Sequence, residues 1–281
     1  MSQDFTDPTP GSPMQVMSPN TLHTTSEIVW GPVRSLLQDN FSFGDIKSIV
    51  GTAGLDLTKI AHLNQAPGGA SKGQLMTGID RAYGELAPRP KNQFVTLAVE
   101  EMLRRRQEIA EILDERLSRL GWSVINGRPV PMELLNKSEL LAVPQESHAD
   151  LLKAATRFTE DDLSGAVSAA CGAVDSVTGK IYREKGLGNP GSAAFQEKVS
   201  RSFDASGSLA AIESELLSMG WEAAKATQLV QNIRGSLNQA ANVMQALRSN
   251  MGDVHGTKRA MKRLAFDSVQ WAKLILGLLQ K

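Results

Sequence analysis

Cysteine is nearly absent from this chain, since Cys171 is the only one. A single thiol excludes an intramolecular disulfide and a zinc site built from cysteines. Histidine is scarce as well, and the four histidines (His23, His62, His148 and His255) do not have the short spacings that metal sites use. We therefore expect neither a bound metal nor a cofactor.

Long apolar runs and an excess of one charge are also missing. No stretch approaches the roughly 18 apolar residues of a membrane span. The first cationic side chain is Arg34, so the basic start of a secretory signal is not seen, and we expect a cytoplasmic protein with no membrane association. Lys plus Arg and Asp plus Glu both number 30, so any surface that attracts nucleic acid must be local.

What the sequence does contain is helical periodicity. Apolar residues recur at spacings of three and four along most of the chain, as in the segment from Leu163 to Ile181. We predict single helices over about 91–120 and about 257–280. Asn126-Gly127 lies between WSVI and RPV, a strong signal for a β-hairpin. The predicted fold is all-α, with two helical bundles joined by a small hairpin.

Composition divides the chain into four segments. Residues 1–24 are rich in Pro, Ser and Thr without periodicity and predict a disordered tail. Residues 25–121 predict a small helical domain made of short elements, and residues 122–145 predict a hairpin and linker. Residues 146–281 predict a second helical domain with longer helices.

One turn near the C-terminus combines reactive side chains. The predicted helix that ends at Arg248 is followed by Gly252 and Gly256, with His255 between these two glycines. The guanidinium of arginine is always charged, whereas an imidazole titrates near neutral pH. The spacing therefore places a fixed cation close to a proton acceptor.

The segment from Arg248 to Gly256 resembles the R-x(4–6)-H motif of HEPN domains, with six residues between Arg and His. It is most similar to the C-terminal domain of bacterial abortive-infection proteins, whose turn reads approximately R-N-x-x-G-D-A-H-G. Residues 161–182 resemble the first helix of that family, with Asp175 and Lys180 as the matching acidic residue and lysine. The resemblance covers about residues 145–281, and Ser249 departs from it because Asn250 comes one position late.

The resemblance implies a homodimer that cleaves RNA without a metal. His255 would act as the general base on a ribose 2′-OH, and Arg248 would stabilise the charge on the phosphate. Asn250 or Ser249 would take the polar role that follows the arginine. Either Asp253 or Asp175 would hold Arg248 or orient the imidazole.

Basic residues follow the motif at a spacing of four, which predicts a ridge at the start of the last helix. Beside the motif this ridge is a candidate RNA-binding surface, although it could also be only a solvated helix face. It consists of Lys258, Arg259, Lys262 and Arg263. Other groups have simpler interpretations: Cys171 is predicted to be a buried structural thiol, and Arg104 to Arg106 are predicted to pair with nearby glutamates.

Two functional hypotheses follow. The first is an RNA-cleaving toxin or effector of an antiviral, abortive-infection type of defence system. The second is a non-catalytic HEPN-like protein that dimerises or holds a partner. The N-terminal segments SFGDIKSIVGTAGLDLTKIAHL and SKGQLMTGIDRAYGEL are similar in rhythm to small death-type adaptor domains, which implies a protein partner for this part of the chain.

Overall fold

The computed structural model describes residues 25–254 and 256–280, with side chains from residue 27 onward. The predicted disordered tail (1–24) and the predicted catalytic His255 lie outside the described residues, as does Lys281. The fold is all-α, with one small hairpin, as predicted. None of the described helices is both long and apolar enough to cross a bilayer.

The first half of the described chain contains five α-helices before the hairpin. Capping boxes start two of them: Ser42 exchanges hydrogen bonds with Asp45, and Ser71 does so with Gln74. The helices are α1 (Thr25–Asn40), α2 (Phe43–Thr52), α3 (Lys72–Gly84), α4 (Pro88–Arg105) and α5 (Ala110–Ser118).

The hairpin is formed by β1 (Trp122–Ile125) and β2 (Arg128–Pro131), paired antiparallel with Ile125 opposite Arg128. Asn126 and Gly127 both have positive φ, as a two-residue hairpin turn requires. The Asn-Gly pair therefore predicted the only sheet found in the described part of the chain.

Seven further α-helices follow the hairpin in the described residues. Asp162 caps the helix that begins at Leu163 by accepting a hydrogen bond from Gly165 N. The helices are α6 (Lys137–Leu141), α7 (His148–Thr159), α8 (Leu163–Lys185), α9 (Phe195–Ser206), α10 (Ser208–Ser218), α11 (Ala223–Met251) and α12 (Lys262–Leu279).

Two clusters of buried apolar side chains meet at the hairpin. Trp122 and Val124 belong to the cluster formed by α1 to α5, whereas Ile125 and Val130 belong to the cluster formed by the later helices. Successive side chains of a strand point to opposite faces, so one short hairpin can contribute to both cores. The predicted domain limits themselves stay a prediction.

The prediction of a single helix over 91–120 is wrong. Helix α4 ends at Arg105, Arg106 adopts an extended conformation (φ −140°, ψ 84°), and α5 begins at Ala110. A straight helix of that length would extend about 45 Å. The corner instead brings Leu113 and Leu117 back to the apolar cluster formed by α1 to α5, where both are fully buried.

The prediction of a last helix from 257 is also wrong, and with it the predicted helical ridge. Helix α12 begins at Lys262, so Lys258 and Arg259 lie in the preceding loop while Lys262 and Arg263 lie in the first turn of the helix. The backbone N–H of Lys258 donates to Asn250 O (2.9 Å), which ties this loop to the end of α11. The four basic residues therefore do not share one helix face.

Glu101 stabilises the corner after α4. It accepts hydrogen bonds from Arg104 Nε (2.8 Å) and Arg105 Nε (2.7 Å), so the predicted pairing of these arginines with glutamate is confirmed. The bond to Arg104, reinforced by that to Arg105 and opposed by burial, lowers the pKa of Glu101 to about 2.

We expect Glu101→Gln to destabilise the protein at neutral pH, because it removes the charge that holds both arginines. A carboxylate with a lowered pKa stabilises the fold above its usual pKa and loses that effect as the pH falls towards 2. The stability difference between wild type and Glu101→Gln, measured by denaturant unfolding, should therefore shrink from pH 6 to pH 3. Glu111→Gln, at an exposed position of α5, is the control; an equal effect of both variants would contradict this account.

Candidate active site

Arg248 lies in the last turn of α11 and is held by a carboxylate of α8. Its Nη1 donates to Asp175 Oδ2 at 2.5 Å, and the two side chains are 43% and 23% exposed. Burial lowers the pKa of Arg248, but the hydrogen bond and the charge of Asp175 outweigh burial and raise it overall. The guanidinium is therefore permanently charged and partly open to solvent.

Asp175 is shared with a second cation. Lys198 Nζ of α9 donates to Asp175 Oδ1, and its side chain is only 13% exposed. One carboxylate thus lies between two positive groups from two other helices. Since Lys198 already neutralises part of the charge of Asp175, the positive charge of Arg248 remains available to an anion. No sequence motif includes Lys198, which is 23 residues from Asp175 in the chain.

Close backbone contacts shape the turn after Arg248. The Gly256 N–H donates to Gly252 O at 2.9 Å, so these two glycines lie close together. A Cβ at Gly252 would lie closer than 3.0 Å to Arg248 O, and a Cβ at Gly256 would lie closer than 3.0 Å to Gly252 O. Neither position therefore accommodates a side chain in this conformation.

Asp253 joins the turn to α7 and α8. Its backbone N–H donates to Ser168 Oγ (3.0 Å), and its Oδ2 accepts from Arg157 Nη1 (2.9 Å). A separate hydrogen bond between the Asp253 carboxylate and the Ser168 side chain lowers the pKa of Asp253, burial opposes this effect, and Arg157 lowers the pKa further. Asp253 is thus an ionised anchor of the turn, and it is Asp175 that makes the hydrogen bond to Arg248.

Arg157 was missed by the sequence analysis. Besides Asp253, it contacts the cap of α8, with Nη1 3.3 Å from Gly165 O and Nε 3.6 Å from Asp162 Oδ2. It lies 96 residues before Asp253, so no local pattern could relate the two. Within α7, Arg157 is half-buried and follows the exposed Lys153 by one helical turn, so the helix pattern gives no signal that it has a distant partner.

The polar residues after Arg248 have local roles in the described structure. Asn250 Nδ2 donates to Ala246 O (2.8 Å), within α11, and Asn250 O accepts the hydrogen bond from Lys258 N. The side chain of Ser249 is exposed. Asn250 therefore helps to end α11, and its described hydrogen bonds go to Ala246 and Lys258 and not to Arg248.

The four basic candidates separate into two kinds. Lys258 and Arg259 are exposed in the loop and form no ion pair with any carboxylate that the structure describes. Lys262 lies over the Phe158 ring (5.8 Å to the centroid), and Arg263 pairs with Asp267 at 3.1 Å. Of these four described residues, only Lys258 and Arg259 have neither an ion pair nor an aromatic contact.

The thiol of Cys171 and possible metal ligands are the remaining reactive groups to consider at the site. Cys171, one α8 turn before Asp175, is fully buried, and burial raises the pKa of its thiol to about 12, as expected of a structural cysteine. Among residues 27–254 and 256–280, no cluster of three His, Cys, Asp or Glu side chains could hold a metal ion.

Comparison of the chain with protein-family models, with curated protein sequences and with solved structures finds no match. The interpretation of the site therefore depends on its residues and on their geometry.

We expect Gly252→Ala to destabilise the protein by about 1–3 kcal/mol, because the new methyl group overlaps the backbone at the end of α11. Gly235→Ala, in an exposed and open part of the same helix, is the matched control and should stabilise the protein by about 0.5–1 kcal/mol. Thermal and denaturant unfolding measure both values. Equal effects of the two substitutions would contradict the close backbone contact at Gly252.

Proposed function

We propose that the chain is a metal-independent endoribonuclease of the HEPN type that acts in a cytoplasmic antiviral or abortive-infection defence system. The observation that carries this proposal is the position of Arg248. It is held by Asp175 at the end of a helix, immediately before a glycine-restricted turn whose sequence includes His255. A fixed cation and an imidazole, seven residues apart in the sequence, are the kinds of group that metal-free RNA cleavage can use.

The reaction would use the ribose as its own nucleophile. A neutral His255 takes the proton of the 2′-OH, and the 2′-oxygen attacks the adjacent phosphorus. The bond from phosphorus to the 5′-oxygen breaks, and that oxygen takes a proton from water or from the protonated imidazole. The products are a 2′,3′-cyclic phosphate and a 5′-hydroxyl. DNA lacks the 2′-OH and would not be cleaved.

The cations at the site support binding of the phosphate. Arg248 is partly exposed and always charged, and it can donate two hydrogen bonds to a phosphate whose negative charge grows in the transition state. Lys258 and Arg259, unpaired in the following loop, would contact neighbouring phosphates of the RNA. Lys262 and Arg263, which have partners of their own, would contribute less.

A second candidate function is a non-catalytic HEPN-like protein that dimerises or binds a protein partner. The observation that favours it is the exposure of apolar side chains beside the turn: Val254 is 76% exposed and Met261 is 57% exposed. Both residues lie in the segment between α11 and α12, and exposed apolar side chains on one segment can contact another protein. The enzyme proposal also includes a homodimer through the C-terminal helices, with a separate protein partner for the N-terminal helices.

The decisive experiment incubates purified full-length protein with total RNA in EDTA and analyses the ends of the fragments. Wild type should produce cyclic-phosphate ends, and His255→Ala and Arg248→Ala should each reduce the rate at least 100-fold. Arg234→Ala is the matched control, because Arg234 lies on the same helix and also forms an ion pair, with Asp204.

The controls separate the two candidate functions. Arg234→Ala should cleave like wild type, and all variants should keep the oligomeric state of wild type in analytical ultracentrifugation. Cleavage that persists in His255→Ala would contradict the proposed mechanism. A stable dimer with no cleavage by any form of the protein would instead favour the binding function.

A further inference from the structure

Lys198 is a lysine that the fold keeps almost out of water. It lies in α9, its side chain is only 13% exposed, and its Nζ donates to Asp175 of α8. Lysine is seldom buried unless it is paired, because removing its ammonium group from water is costly. Its side chain has no other hydrogen bond or ion pair with the residues that the structure describes. The position of this ammonium group therefore depends on Asp175.

Helix α9 is fixed directly onto the helix that carries Arg248. The backbone N–H of Gln196 donates to Gln245 Oε1 (3.1 Å), and the side chain of Gln196 makes a second hydrogen bond to α11 (3.0 Å). Gln245 lies about one turn before Arg248, and Gln196 lies just before Lys198. These two hydrogen bonds set the position of α9 along α11. Lys198 is therefore held at a fixed position relative to Arg248.

The two cations bind different oxygens of Asp175. Lys198 donates to Oδ1, whereas Arg248 Nη1 donates to Oδ2. An arginine beside a free carboxylate can take both oxygens with two parallel hydrogen bonds, which is the stronger form of this pair. Because Lys198 occupies Oδ1, Arg248 makes a single hydrogen bond to Asp175. The other N–H groups of Arg248 have no acceptor among the described residues, so they are available to a substrate.

The charge of this group of three side chains differs from that of an isolated ion pair. Lys198, Asp175 and Arg248 together carry one net positive charge, whereas Asp175 and Arg248 alone would be neutral. Attraction between an anion and a cation depends on the neighbouring charges, which add to it or cancel it. A phosphodiester carries one negative charge, so it would be attracted to the group of three and only weakly to a neutral pair.

A merely structural role in joining α8 to α9 explains Lys198 less well. Phe195, Val199 and Phe203 of α9 are buried, and they already belong to the same apolar cluster as α8. A buried ion pair adds little net stability to such a contact, because desolvation offsets much of the attraction between the charges. The ion pair is therefore not needed to hold the two helices together.

We propose that Lys198 is a positioning residue of the candidate active site. It holds one oxygen of Asp175, so that Arg248 keeps free N–H groups and a positive charge for an RNA phosphate. Without Lys198, the Asp175 carboxylate would pair with Arg248 alone and neutralise it. The phosphate in this inference rests on the proposed function, whereas the sharing of Asp175 can be tested without RNA.

Denaturant unfolding of the full chain tests the sharing of Asp175. Wild type, Lys198→Met, Arg248→Met and the double variant form a double-mutant cycle. Arg248→Met should shift the unfolding midpoint further in the Lys198→Met protein than in wild type, because Asp175 then pairs with Arg248 alone. Additive shifts, or a smaller shift in the Lys198→Met protein, would overturn the inference. Lys198→Gln, which removes the charge but keeps a hydrogen-bond donor, replaces Lys198→Met if that variant does not fold.

RNA binding tests the consequence for the substrate. The affinity for a labelled single-stranded RNA is measured by fluorescence anisotropy in EDTA, with His255→Ala in every protein to prevent cleavage. Lys198→Met should weaken binding about fivefold, and Lys198→Arg should restore it to within about twofold. In proteins that also carry Arg248→Met, Lys198→Met should have no further effect. Arg201→Met is the matched control, since Arg201 also lies in α9 and pairs with Glu197, and it should bind like its parent.

The outcomes separate this inference from the proposed function. RNA binding that is equal in Lys198→Met and its parent would overturn the role of Lys198 and leave the proposed function standing. The same holds if Lys198→Met weakens binding equally with and without Arg248, because Lys198 would then act on RNA directly. Absence of RNA binding by every protein would contradict the proposed function, and the unfolding cycle would still decide whether Lys198 controls Arg248 through Asp175.

Discussion

Helix α8 packs against α7, α9, α11 and α12, and this arrangement determines the position of the candidate site. Four neighbours can approach one helix closely only if its side chains are small. The buried residues of α8 include a series of such residues, among them Gly165, Ala166, Ala169, Ala170 and Ala173. Larger side chains there would force the neighbouring helices apart, and the partners of the motif would separate with them.

One face of α8 holds two residues of the motif, Arg248 and Asp253. Ser168 accepts the backbone N–H of Asp253, and Asp175 accepts from Arg248. These two residues are seven positions apart, about two helical turns, so they lie on the same face. Cys171, between them on that face, lies with its Sγ 3.7 Å from Met244 O of α11. The turn and its arginine are thus positioned by a rigid helix and not by the loop alone.

The electrostatics of the site come from residues that are distant in the sequence. Asp175 forms ion pairs with both Arg248 and Lys198, whereas Asp253 forms one with Arg157. The two acids therefore pair with different cations, and of the two it is Asp175 that holds Arg248. Arg157 also donates to Gly165 O, so one guanidinium joins the turn after Arg248 to the start of α8.

The sequence by itself determined the helical character, the hairpin at Asn126-Gly127, the buried thiol of Cys171 and the pairing of Arg104 and Arg105 with a nearby glutamate. These features depend on periodicity, on turn residues and on neighbours within one helical turn, which are all local. It did not determine the corner at Arg106 or the late start of α12 at Lys262, because packing on a core and a backbone bond to Asn250 override helical periodicity there. The roles of Lys198 and Arg157 at the site were decided only by the tertiary structure. Their partners, Asp175 and Asp253, are distant in the sequence and come close only when the helices pack together.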